Sequence, residues 1–139
     1  MIVCDTGPLV AAALANDRDH AACVDLFNRL HAAQSELLVP ATVVAVVGYL
    51  LAREAGAHLE SLFLRSLAEG YFTPVELTAA DFSRMAELVV TYGSLPVGTT
   101  DASVIALAER LQLTDLATLD RRHFPVVRPS HVDALTLVP

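Results

Sequence analysis

Three aspartates, Asp5, Asp101 and Asp120, hold the positions from which side chains far apart in the chain could act together. Asp5 follows the apolar run Ile2-Val3-Cys4, and Asp120 follows Leu116-Ala117-Thr118-Leu119. Asp101 follows the loop segment Gly98-Thr99-Thr100 and opens an apolar helical stretch. If the two runs are parallel strands, their carboxyl ends lie on the same sheet edge as the starts of the returning helices, and that edge is where ligands collect. Carboxylates gathered there repel one another unless a cation sits between them. Hard divalent ions with oxygen ligands, Mg2+ or Mn2+, suit such a cluster. A cation held this way activates water and neutralises charge on a phosphodiester oxygen, so phosphodiester hydrolysis is the chemistry this set supports. Ordinary structural roles also stand open: a turn or cap for Asp5, an N-cap for Asp101, a turn ahead of Arg121-Arg122 for Asp120.

The rest of the chain must supply the strands and helices that bring these groups together. Ile2-Val3-Cys4 is an unbroken apolar run fit for a strand buried on both faces, and Gly7-Pro8 ends it, with Pro8 suited to a first helical turn. A short helix over 9–14 follows. A second, capped by Asp19 and running to about His31, places Ala22, Val24, Leu26, Phe27 and Leu30 on its apolar face. Residues 37–39 form the second strand. A helix over 41–55 ends at Gly56, and another over 58–69 ends at Gly70. Residues 71–73 read as a short strand closed by Pro74. Thr78-Ala79-Ala80-Asp81 has the form of a capping box and opens a helix to about Tyr92. A helix over 101–113, a strand over 116–119, a short strand at Val126-Val127 and an edge-packing tail at 134–138 complete the reading. Strands alternating with helices imply one domain over 1–139, a three-layer α/β/α sandwich around a mostly parallel sheet of four to five strands.

Composition narrows the function. At 139 residues the chain can bury a full core, and with 54% hydrophobic residues it is no disordered segment. The net charge of −7 excludes a basic domain that coats nucleic acid, though not an enzyme that meets phosphates through bound cations. Every cationic side chain is Arg. Cys4 and Cys23 have neither metal-type nor redox-type spacing and read as reduced packing thiols of a cytoplasmic protein. No signal peptide is expected. The uncharged stretch 37–52 is shorter than the ~20 residues of a spanning helix and is split by Pro40, so no membrane association is expected. There is no P-loop, no dinucleotide fingerprint and no nucleophile elbow around Ser103.

Three segments, Val3-Cys4-Asp5-Thr6-Gly7-Pro8-Leu9, Thr100-Asp101-Ala102-Ser103-Val104-Ile105-Ala106-Leu107-Ala108 and Ala117-Thr118-Leu119-Asp120-Arg121-Arg122-His123-Phe124, resemble in order and spacing the PIN-domain proteins. The likeness is greatest to the VapC-type toxins of bacterial toxin–antitoxin pairs, and it covers essentially the whole chain. It implies a Mg2+- or Mn2+-dependent endoribonuclease that cuts structured RNA such as tRNA or rRNA. It also implies a homodimer and a cognate antitoxin that silences the enzyme. On this resemblance Asp5, Asp101 and Asp120 are the catalytic metal ligands. Thr6 and Thr118 are candidate hydroxyls behind them, with backbone capping as the plainer role. Arg121 and Arg122 are candidate contacts to RNA phosphates, or members of a solvated turn. His123 is disfavoured as a general base, since water activated by a cation can supply the nucleophile. The apolar helices over 41–55 and 58–69 are where the family holds its antitoxin and dimer contacts, and core packing accounts for most of their residues.

One departure stands out. The family places a glutamate in the helix after the second strand, ahead of a run like Val47-Gly48-Tyr49-Leu50-Leu51; here that position is Val46, and no acid lies between Glu36 and Glu54. Valine cannot ligate a cation, so the chain carries either an inactivating change or a naturally weakened site. The rival from another class is a non-catalytic PIN-fold module that keeps only antitoxin or RNA binding. A receiver-like signalling domain also clusters aspartates at strand ends but needs a nearby lysine, and this chain has none.

Overall fold

The computed structural model describes all residues, 1–139. Five strands form a single parallel sheet in the order β3-β2-β1-β4-β5. They are β1 (Ile2–Cys4), β2 (Leu37–Pro40), β3 (Thr73–Val75), β4 (Asp115–Ala117) and β5 (Thr136–Val138). Six helices flank the sheet: α1 (Thr6–Ala13), α2 (His20–Ala32), α3 (Ala41–Ala55), α4 (Ala57–Ala68), α5 (Ala79–Thr91) and α6 (Thr99–Arg110). This is the three-layer α/β sandwich expected from the alternation of strands and helices.

Strand β1 is central because Ile2, Val3 and Cys4 are all buried, as a strand covered on both faces requires. It pairs with β2 through Ile2–Leu37 and Val3–Leu38, and with β4 through Val3–Leu116 and Cys4–Ala117. Helix α6 is buried all round from Ala102 to Glu109 and packs on α5, α3 and the central strands. A helix so enclosed is fixed in position, and its N-terminus with it. On α2 the core positions are Cys23, Leu26 and Phe27, whereas Ala22 points to solvent. Leu26 and Phe27 face the core and Val24 and Leu30 are half-buried, as their spacing implies; Ala22 is the one expected position that is exposed, and Cys23, next to it, is buried. Helices α3 and α4 are separated by Gly56 at φ +87°, a left-handed conformation that glycine adopts without strain.

Most elements begin or end one to three residues from where the sequence reading puts them, and the fourth strand lies at Asp115–Ala117 rather than 116–119. Strand β3 lies at 73–75 with Pro74 inside it, which is tolerated because β3 is an edge strand and the missing N–H costs no ladder bond on its open side. Val126-Val127 is not a strand. Both N–H groups turn back to the His123 carbonyl, at 3.1 and 3.2 Å, so they cannot enter a ladder. The fifth strand is instead the tail, where Asp115, Leu116 and Ala117 pair with Thr136, Leu137 and Val138.

Candidate metal centre

Each aspartate owes its position to a separate element. The Asp5 N–H donates to the Ala117 carbonyl at 2.9 Å, which carries the β1–β4 ladder one residue past β1 and fixes Asp5 at the carboxyl edge. Its side chain makes no cap bond to α1, so the plain cap role does not account for it. Asp101 is not the N-cap of α6; Gly98 is, and Asp101 sits in the first turn of the helix. There the unpaired N–H groups of the helix start favour a negative side chain. Asp120 lies in the turn after β4, where its Oδ1 accepts the N–H groups of Arg122 at 2.8 Å and His123 at 3.0 Å. The turn role and a free Oδ2 therefore coexist in Asp120.

Thr118 links two of the three acids. Fully buried, it donates its hydroxyl to Asp5 Oδ2 at 2.8 Å and accepts the Asp120 N–H at 3.0 Å. Backbone capping and support of the acid site are thus one arrangement. The Thr6 hydroxyl is enclosed and has no hydrogen-bond partner. Arg121 is engaged by the Pro139 backbone carbonyl, while the Arg122 side chain is exposed.

The electrostatics describe a site short of positive charge. Asp5 is buried, and burial lifts its pKa above the usual carboxylate value; the Thr6 N–H and Thr118 hydroxyl oppose this, and the Asp120 charge adds to it. Asp101 is pushed up to about 6, by burial first and then by the charges of Asp5 and Asp120, with His123 opposing. For Asp120 burial acts upward, but the N–H groups of His123 and Arg122 and the His123 ring outweigh it and hold the group below its usual value. The carboxylates therefore feel one another across the rim, which is the condition a shared cation relieves.

One further group stands in this cluster. Asp101, Asp120 and His123 offer ligand atoms that all lie within 4.8 Å of one another, with Asp5 outside this tight group. His123 Nδ1 is 2.9 Å from Asp120 Oδ2 and 3.7 Å from Asp101 Oδ2. Its place three residues after Asp120 was visible in the sequence, but it read as part of a turn. Val46 lies half-buried on α3. It is one turn on from Thr42, whose hydroxyl meets that of Ser103 on α6 at 2.5 Å. Ser103 gives its own proton to the Thr100 carbonyl at 2.6 Å, so Thr42 is the donor. Helix α3 is thus pinned beside the start of α6, yet it brings no carboxylate to the rim. The donors present are oxygens with one imidazole nitrogen, and they fit a divalent cation.

Residues 2–128 match the PIN domain family. The chain is 34% identical over 141 aligned residues to ribonuclease VapC26 of Mycobacterium tuberculosis, with 99% of this chain and all of that protein covered. Among solved structures, Mycobacterium tuberculosis VapC20, described as a toxin that cleaves the sarcin–ricin loop, superposes with a TM-score of 0.80. The identity is 19%, covering 96% of this chain and 99% of that one. FitAcB from Neisseria gonorrhoeae superposes with a TM-score of 0.62 at 18% identity, covering 100% of this chain and 97% of that one. At these identities the two structures speak for the fold.

Proposed function

Because the chain belongs to the PIN domain family, and within it to the VapC kind, we propose that it is the toxin of a type II toxin–antitoxin pair. In this reading it is a Mg2+- or Mn2+-dependent endoribonuclease that hydrolyses phosphodiesters of structured RNA, tRNA or rRNA, in the cytoplasm. The observation that carries the reading is the meeting of Asp5, Asp101 and Asp120, from three separate elements, at one sheet edge where their charges act on each other. Asp101 and Asp120 would hold the cation, with Asp5 completing the negative wall beside it. A divalent cation bound there lowers the pKa of water and neutralises charge on the scissile phosphate. Thr118 orients the Asp5 carboxylate, and Arg122, exposed in the turn beside the site, is the cation that would meet a phosphate. A chain with a net charge of −7 needs such a cation before a polyanion can approach its acidic rim.

An antitoxin partner fits a second feature. An open apolar groove of about 350 Å³ runs between α1, α2 and α4, lined by Leu9, Phe27, Leu62, Phe63 and Phe72. Leu62 and Leu64 are roughly half exposed on α4, more than a lone domain needs. An amphipathic antitoxin segment would cover the groove, and exposed Tyr49 on α3 adds surface for a homodimer.

The absence of a carboxylate at Val46 favours a second reading, a PIN-fold module that binds antitoxin or RNA without cutting. Cleavage of structured RNA by the purified chain and by Val46→Glu, with Mn2+ and with EDTA, separates the two. The nuclease reading expects metal-dependent cleavage that rises by tenfold or more in Val46→Glu. No cleavage in either protein would leave the binding module.

A further inference from the structure

Within the carboxylate cluster, His123 Nδ1 is closed to solvent and has no hydrogen-bond partner, although the ring as a whole is 26% exposed. Asp120 Oδ2 lies 2.9 Å from it, an ion-pair contact rather than a well-aligned hydrogen bond. A buried ring nitrogen left unpaired costs stability, and a turn that needed only to reverse the chain would face the ring to water. The spacing has a simpler explanation. Around a six-coordinate ion with ligands at ~2.1 Å, neighbouring ligands are ~3.0 Å apart and opposite ones ~4.2 Å. The Nδ1 distance of 3.7 Å to Asp101 falls between those values, and the 2.9 Å to Asp120 is just under the lower one. The three ligand atoms lie within 4.8 Å of one another. Helix α3, meanwhile, offers only Val46.

We infer that His123 Nδ1 is a ligand of the bound cation, making up for the carboxylate that α3 lacks at Val46, and that this nitrogen turns the site toward Mn2+ and Co2+ and away from Mg2+. The inference rests on the reading of Asp101 and Asp120 as metal ligands. Replacing one anionic oxygen by a neutral nitrogen has two consequences. The site loses a negative charge, which weakens its hold on every divalent ion. It also gains a donor that Mg2+, a hard ion that keeps oxygen and water ligands, uses poorly, whereas Mn2+ and Co2+ accept imidazole more readily. The backbone supports the assignment, because the Asp120 Oδ1 bond to the His123 N–H at 3.0 Å holds both residues in one rigid turn. His123 therefore sets which ion is held, and Asp101 and Asp120 set whether one is held.

The test is Mn2+ binding by the full chain near pH 8, with Mg2+ as competitor, and pulsed electron paramagnetic resonance on the Mn2+ form. Wild type should bind Mn2+ at least tenfold more tightly than Mg2+ and show hyperfine coupling to an imidazole nitrogen. His123→Ala should lose that coupling and weaken Mn2+ binding about tenfold while changing Mg2+ binding less than threefold. Asp101→Asn should abolish binding of both ions. Mn2+ binding that Asp101→Asn abolishes, but without nitrogen coupling in wild type, overturns the His123 assignment and leaves the carboxylate site standing. No Mn2+ binding by wild type, or binding unchanged in Asp101→Asn, overturns both. The coupling is read in wild type, so the test does not depend on any variant folding.

Discussion

Asp101→Asn should make the metal-free protein more stable at neutral pH, and the size follows from the site. Burial and the charges of Asp5 and Asp120 raise the Asp101 pKa from 3.8 to about 6. Each pH unit is worth ~1.4 kcal/mol, so an ionised Asp101 costs the metal-free fold at most ~3 kcal/mol. A quarter of the side chain is open to water, and solvent screening reduces that ceiling to about 1–2 kcal/mol. The sign is fixed by linkage. The folded state binds the Asp101 proton more tightly than the unfolded state, so this group's contribution falls as pH rises from 3.8 through about 6. Asparagine carries no charge and lacks this penalty. Urea unfolding in EDTA should therefore find Asp101→Asn more stable by about 1–2 kcal/mol at pH 7.5, a rise of roughly 3–8 °C in melting temperature. The gap should close as pH approaches 4. With saturating Mn2+ at pH 7.5 the order should reverse, since only wild type gains binding energy. Equal stability of the two proteins in EDTA at pH 7.5, or a gap independent of pH, would refute the claim that this carboxylate sits in a field of like charges.

Three other outcomes follow from the same geometry. Val46→Glu should lower the stability of the metal-free protein by about 1–2 kcal/mol, measured by urea unfolding in EDTA, because it adds a half-buried negative charge near the rim. Thr118→Val keeps the shape but removes the hydroxyl that serves Asp5 and the Asp120 N–H; loss of a buried partner should cost about 2–3 kcal/mol and weaken Mn2+ binding, seen as a smaller thermal shift on adding the ion. Arg110→Met should cost about 2–4 kcal/mol by urea unfolding at pH 7, since Asp81 is buried and holds Arg110 at 3.0 Å. Burial alone would raise the Asp81 pKa, but the Thr78 N–H and Arg110 pull it below 3.8, so its stabilising contribution is present above pH 4 and is lost as pH falls below that. The Arg110→Met deficit should accordingly shrink in acid.

The carboxylate-bearing edge is legible because it depends on where strands end, and short apolar runs stopped by Asp or Gly-Pro mark those ends. Ile2–Cys4 and Leu37–Pro40 sit where their hydrophobic runs place them, and the Thr78–Asp81 capping box forms with bonds in both directions. Helix α6 starts two residues earlier than its pattern implies, because Gly98 rather than Asp101 makes the cap, and an aspartate in a first turn looks in sequence like one at the cap. Val126-Val127 has strand composition, but its backbone is spent on the local turn at His123, which no periodicity reports. The place of His123 in the cluster is hidden for a related reason. Three residues after Asp120 it reads as turn chemistry, and only the fold of that turn sets its ring against Asp101, distant in sequence. Arg121 shows the converse: its basic character suggested phosphate, while the C-terminal tail, as β5, comes back to take its guanidinium.

The claim on which the rest depends is that one cation is held where Asp5, Asp101 and Asp120 converge. Anomalous diffraction from crystals of the wild-type protein grown with Mn2+ measures this directly. The account expects a single strong peak about 2.1–2.4 Å from carboxylate oxygens of Asp101 and Asp120 and facing Asp5. A map with no peak at that rim under saturating Mn2+, or with the ion bound at other residues, would contradict it.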